Sequence, residues 1–154
     1  MEPIDKDPAS LWYIVNVEAV IVKENRYLMI TRSLTESHAP GILTLPGGKV
    51  EDAGQTDHIL EQTLRREIQE EVGLEVANEI EYLESKAFVT DKGEQVIDLV
   101  FLCRYKAGSP HIIAPDEVVA IAWMTAQDVL ENPKTPPWTR QSIEMAEKKR
   151  LLEA

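Results

Sequence analysis

The chain has 154 residues, 44% of them hydrophobic and 28% charged, which suits one domain with a real core and excludes two of ordinary size. Its 27 acids against 16 Lys plus Arg give a formal net charge of −11, so the phosphate backbone of a long nucleic acid would be repelled rather than bound. A small phosphorylated ligand stays open if a cation bridges it. One cysteine, Cys103, rules out an internal disulfide, and within "LVFLCRY" it reads as a small core residue. The start "MEPIDKDPAS" lacks the basic-then-apolar pattern of a secretory signal. No apolar run approaches the roughly 18 residues of a membrane span. The expectation is a soluble, cytoplasmic protein with no membrane partner; nothing in the sequence sets an oligomeric state.

Residues 1–10 carry two prolines and mixed charges and read as a flexible leader, with residues 11–154 as a single domain. From Leu11, "LWYIVNVEAVIVKENRYLMITRS" is dense in β-branched and aromatic residues and breaks at "KEN" around Asn25, which predicts two strands joined by a hairpin. The Pro- and Gly-rich stretch "LTESHAPGILTLPGGKVEDAGQT" reads as the main loop region, its piece "ILTL" forming a short strand that ends at Pro46. From about Asp57 to Val72, Leu60, Leu64, Ile68 and Val72 recur every four residues, the spacing of an amphipathic helix, and Gly73 is its stop. Glu75 to Val89 and Val96 to Tyr105 read as strands around the turn "TDKGEQ". "VVAIAWM" is a last short strand. Thr125 then caps a short helix to about Glu131, and a longer helix runs from Thr139 to Leu152. Strands and helices do not alternate as a repeating βαβ, so the fold class is α/β in the α+β sense, a central mixed sheet with helices packed on it.

The first helix carries the chemistry. Glu67, Glu70 and Glu71 crowd one arc of about 100° on it, although like charges three and four apart cost about 0.2–0.5 kcal/mol per pair. Carboxylates are the ligands that Mg²⁺ or Mn²⁺ prefers, and Mg²⁺ is typically held by a few of them together with substrate phosphates. Arg66 stands one turn before Glu70 and is placed to pair with it, while Arg65 points to solvent or to another element. Gly47 and Gly48 precede the helix, where backbone can approach closely or take positive φ. A bare acidic helix is more often a solvated face; the diglycine ahead of it shifts the balance toward a metal site.

"GGKVE…RREIQEEVGL" resembles the signature of the Nudix hydrolases, G-x5-E-x7-R-E-U-x-E-E-x-G-U with U aliphatic. Arg66, Glu67, Ile68, Glu70, Glu71, Gly73 and Leu74 match its second half without exception. The first half departs: six on from Gly48 is Gly54 and eight back from Arg66 is His58, so four residues are inserted and the first glutamate is displaced. An extra helical turn or a longer loop would each absorb them, and Glu51 and Glu61 are candidate replacements. The resemblance implies an α/β/α sandwich. It also implies a hydrolase cutting a phosphoanhydride bond in a nucleoside di- or triphosphate or a derivative, with Mg²⁺, or Mn²⁺, as cofactor.

By the same resemblance Glu67, Glu70 and Glu71 hold the ion, the Gly48 backbone adds an oxygen, and Arg66 orients the acids. The catalytic set would be Glu70, Arg66 and Glu67, with Glu70 a choice for the base that activates water. Lys49 and Arg32 are candidates to meet phosphate, and Asp116 and Glu117 to read the nucleobase or recruit a further metal; each is equally compatible with a solvated loop residue. Trp138 reads as core packing ahead of base stacking, and His38, His58 and His111 as surface or loop residues without ligand spacing. The alternatives are an ADP-ribose or nucleotide-sugar pyrophosphatase, a nucleotide-sensing module impaired by the displaced glutamate, and an interaction domain whose motif is structural.

Overall fold

The computed structural model describes residues 12–36, 39–51 and 54–153; the leader expected over residues 1–10, and His38, lie outside these. Strand β1 (Tyr13–Lys23) turns at Glu24 and Asn25 into β2 (Arg26–Arg32), as the sequence predicts, with Glu24 in the left-handed region at φ 59°. Then come β3 (Leu43–Thr44), β4 (Gly47–Lys49), α1 (Ile59–Val72), β5 (Glu75–Val89), β6 (Gln95–Ala107), β7 (Val118–Thr125), α2 (Ala126–Glu131) and α3 (Pro137–Glu153). The sequence treats the diglycine as loop; in the structure it is a strand, because β1 offers it a free edge. Both glycines are extended, and neither takes positive φ.

That edge exists because the hairpin forks. β2 pairs with β1 only next to the turn, Val22 with Tyr27 and Lys23 with Arg26, and then diverges toward β3 and β7. Into the opened half of β1 comes β4, antiparallel, with Asn16 opposite Lys49, Val17 opposite Gly48 and Glu18 opposite Gly47. The far edge of β1 runs parallel to β6 over its whole length, and β6 pairs antiparallel with β5. One parallel pair among antiparallel ones makes the sheet mixed.

Alternate residues of β1 feed two cores, as the period of a strand requires. Val17, Ala19 and Ile21 pack under α1 against Leu64, Ile68 and Val72, with Cys103 fully buried among them. Val20 and Val22 pack on the other face under α2 and α3, against Val129, Ile143 and Ala146. The layers are therefore α/β/α. Burial pushes the Cys103 thiol up to about 12, consistent with its reading as a core residue.

Helix ends follow their local chemistry. Thr125 caps α2, its side chain accepting from the Asp128 N–H at 3.1 Å. Gly73, at φ 72°, closes α1 with N–H bonds to the Gln69 and Ile68 carbonyls. α3 starts at Pro137, two residues before Thr139, using a proline where no N–H is needed. It is locked to the hairpin by Tyr27, whose hydroxyl donates to Glu147 at 2.6 Å and accepts from Arg150 at 2.9 Å. No helix among the described residues is long and apolar enough to cross a membrane.

Ile68 is fully buried between α1 and the sheet, so Ile68→Ala should lose about 2–5 kcal/mol of stability. Urea titration of both proteins measures this, and a loss below about 1 kcal/mol would mean that α1 does not pack as described.

Candidate active site

The stripe of Leu64, Ile68 and Val72 fixes the roll of α1, and that roll turns Glu67 and Glu71, four residues apart, toward β4. The Glu71 carboxylate accepts from the Gly47 N–H at 3.1 Å. Glu67 sits over Gly48 so closely that a Cβ there would collide with its carboxylate. Gly48 is thus needed for close approach, and Gly47 likewise, since a Cβ would strike the Val17 carbonyl. Two acids are pressed against a strand that has no side chains of its own until Lys49.

Burial pushes both carboxyls up. Glu71 rises from 4.5 to about 7, mainly through desolvation, then the charges of Glu67 and Glu117, against the Gly47 N–H and Arg32, which lower it. Glu67 rises by desolvation first, with Glu70, Glu51 and Glu117 adding repulsion and Arg66 opposing it. These causes place Glu117 and Arg32 in the field of the acids. A backbone link explains it: Ser33, next to Arg32, donates its N–H to the Glu117 carbonyl at 2.8 Å.

Among the residues predicted from sequence, Glu67, Glu71, Gly48, Arg66, Arg32 and Glu117 are brought to one corner. Glu70 lies on the exposed side of α1, close enough to repel Glu67. No three acids, histidines or cysteines among the described residues form a closed ligand set. Lys49 is exposed on β4 beside the glycines, and Asp116 is exposed in the loop with Glu117. Arg32 also pairs with Glu36 at 3.3 Å.

Two expectations need correcting, the partner of Arg66 and the burial of Trp138, and two open choices are settled. Arg66 pairs not with Glu70 but with Glu67 at 3.3 Å and Glu51 at 3.5 Å, because the loop after β4 brings Glu51 to the near side of the helix. Helix α1 begins at Ile59, seven residues before Arg66, so the four extra residues lengthen the loop and add no turn. Of the two substitute glutamates, Glu51 reaches Arg66, while Glu61 pairs with His58 at 3.4 Å in the first turn. Trp138, expected in the core, is 49% exposed at the start of α3. Arg65 faces another element, donating to the Val76, Ala77 and Asn78 carbonyls at 3.1, 3.0 and 2.7 Å. His58 and His111 are exposed.

One group escaped the sequence. On the α3 face of the sheet, Glu84 on β5 and Asp98 on β6 are buried and Glu18 on β1 is half-buried. Alternation of polar and apolar residues along a strand signals a solvated face. In "VNVEAV" that pattern is the only trace of the cluster, and it points the wrong way because α3 covers the face.

Gly48→Ala should unseat Glu67 and reduce Mg²⁺ affinity roughly 10–100-fold, the usual cost of disturbing a ligand's support, while the melting temperature changes little. Isothermal titration calorimetry measures the first; equal affinity in both proteins would refute the close-approach role. Because the Glu71 pKa is raised on folding, the metal-free native state binds more protons than the unfolded chain between about 4.5 and about 7. The contribution of Glu71 to its stability is fully present below that window and is lost as pH rises through it. Urea unfolding across this range in EDTA should show the decline, and Glu71→Gln should flatten it; an unchanged slope in the variant would exclude Glu71 as its source.

Comparison with known proteins agrees with this geometry. A family model described as the NUDIX domain matches residues 12–145. The structure is similar to the crystal structure of a MutT NUDIX hydrolase from Burkholderia pseudomallei, with 29% identity, TM-score 0.73, and 87% of this chain and 98% of that one covered. It is also similar to a MutT protein from Methanosarcina mazei Go1, at 24% identity, TM-score 0.72, and coverage of 91% and 96%. The NUDIX domain of Shewanella oneidensis NrtR, crystallised with ADP ribose, aligns at 22% identity, TM-score 0.73, and coverage of 95% and 94%. No curated protein sequence matches. With its signature helix seated on a diglycine strand and the family model spanning most of its length, the chain belongs to the NUDIX domain family.

Proposed function

We propose that this chain is a Mg²⁺-dependent pyrophosphohydrolase of the cytoplasm, with Mn²⁺ as a substitute ion, that cuts a phosphoanhydride bond in a nucleoside di- or triphosphate or a derivative of one. The observation that carries the reading is the pairing of Glu67 and Glu71 against Gly47 and Gly48, with both carboxyls pushed up first by burial and then by neighbouring acids. Two desolvated oxygen ligands beside a bare backbone, with Glu117 adding to the negative field, suit a hard divalent ion.

In this reading Glu67 and Glu71 hold the ion with the Gly48 carbonyl, and Glu70 completes the set from the exposed side. The ion would supply charge neutralisation at the phosphate oxygens and a more acidic water. The chain's own residues do the rest. Arg66 restrains Glu67 by an ion pair and ties in Glu51, while the Gly47 N–H fixes one Glu71 oxygen. Lys49, and Arg32 at the end of β2, bring positive charge toward phosphate. Glu70, exposed and beside Glu67, is the choice for accepting a proton from the attacking water. Glu117 shares the field of Glu67 and Glu71, which supports a role near metal over reading the base.

The nucleotide products should be separated and quantified by chromatography for a panel of nucleoside triphosphates, ADP-ribose and UDP-sugars. The expected outcome is Mg²⁺-dependent turnover of triphosphates, abolished by EDTA and reduced on the order of 10²–10³-fold by Glu67→Gln or Glu71→Gln, typical for loss of one charge-stabilising group. Preferential turnover of ADP-ribose or UDP-sugars would move the substrate class. No turnover at all, alongside saturable nucleotide binding, would replace the enzyme with a sensor.

A further inference from the structure

Arg65 stands one position before Arg66, outside the residues that match the signature, and its side chain leaves α1 on the flank away from the acids. Around the helix Arg65 and Glu67 are about 200° apart, whereas Glu67 and Glu71 are about 40° apart. The two flanks meet different strands. Glu67 and Glu71 face β4, while Arg65 donates to the Val76, Ala77 and Asn78 carbonyls of β5 at 3.1, 3.0 and 2.7 Å.

Three successive carbonyls do not converge on one group in a regular strand, because an extended chain turns them alternately to either side. β5 departs from regularity at this point. Val76 lies opposite Tyr105 and Ile80 opposite Cys103, so four steps along β5 match two along β6, and the chain between them leaves the ladder. The guanidinium, a rigid fork of N–H donors, gathers the carbonyls of this irregular stretch.

Packing on the same flank is open. A hollow of about 180 Å³ lies between α1 and the start of β5, lined by Arg65, Gln69, Leu74, Glu75 and Val76. The stripe of Leu64, Ile68 and Val72 decides which face of α1 meets the sheet, but contact between apolar surfaces is non-directional. Beside a hollow, the fine setting of the helix falls to directed bonds. Arg65 supplies them from β5, and the Gly47 N–H to Glu71 supplies one from β4.

We infer that Arg65 is a positioning residue for the metal corner: its bonds to β5 set the rotation of α1, and that rotation sets how closely Glu67 and Glu71 approach Gly48 and Gly47. The inference rests on the metal-site reading above. Glu67 lies over Gly48 with no room for a Cβ, so a small turn of the helix about its axis is felt there first. Lysine at position 65 would keep the charge and lose the fork, since an ammonium is a point charge on a flexible stem.

Amide hydrogen exchange of the metal-free full chain, followed residue by residue by NMR, reads the helix setting without any metal, because the Gly47 N–H is bonded to Glu71. Arg65→Lys and Arg65→Met should each speed exchange at Gly47 about tenfold beyond any change at Val20, which is fully buried in β1 and reports global opening. Mn²⁺ binding, followed by electron paramagnetic resonance of the free ion, should weaken about 10–100-fold in both variants. Gln69→Ala, at an exposed position on the same hollow, should match the parent chain in both measurements. If Arg65→Met does not fold, Arg65→Lys carries the test. Parental Mn²⁺ affinity in Arg65→Lys, a weakened affinity with unchanged exchange at Gly47, or an equal loss in Gln69→Ala overturns the inference. A parent chain that binds no Mn²⁺ removes the metal-site reading and the inference with it, whereas tight binding in the parent and in Arg65→Lys alike removes the inference alone.

Discussion

Two carboxylates pressed onto a strand of two glycines form the constraint on which the other features of the site depend. Repulsion along an exposed helix is worth about 0.2–0.5 kcal/mol per pair, whereas a single unit of pKa corresponds to about 1.4 kcal/mol. Glu71 moves from 4.5 to about 7, more than exposed like-charge pairing alone produces. Burial against β4 dominates, and the charges of Glu67 and Glu117 add to it. The same contact explains why Gly48 carries no side chain, why Arg66 is drawn to Glu67, and why an ion of double positive charge suits the corner.

The fork of the hairpin creates that contact. Had β2 stayed paired with β1 along its length, β1 would have had no edge for Gly47–Lys49, and Glu67 and Glu71 would face solvent. The register Val17 to Gly48 holds the glycines in place from one side, and the apolar stripe of α1 sets the distance from the other. The placement of the two carboxylates thus follows from two ordinary packing events, a strand pairing and a helix seating, rather than from the acids themselves.

Elements with a strong period were legible in the sequence. The fourfold spacing of Leu60 to Val72 gave α1 within two residues, Thr125 and Gly73 marked helix ends by their own chemistry, and the hairpin at Asn25 followed from two β-rich runs around a turn. What was hidden lacked a local signal. A glycine pair has no side-chain pattern to announce a strand, and whether four inserted residues enter a helix or a loop depends on where the sheet holds Lys49. Spacing alone gives Arg66 a partner one turn away, but the Glu51 that competes for it arrives from outside the helix. Trp138 reads as core by composition and is open because α3 begins there. Polar positions in β1 mimic a wetted face until α3 is placed on them.

Diffraction from crystals soaked in Mn²⁺ and a non-hydrolysable nucleotide, recorded with the anomalous signal of manganese, addresses the metal assignment most directly. The expected result is an anomalous peak within coordination distance of both Glu67 and Glu71 and of the Gly48 carbonyl, joined to ligand phosphate. Saturating Mn²⁺ with no peak in that corner, or a peak that persists in Glu67→Gln and Glu71→Gln crystals, would contradict it.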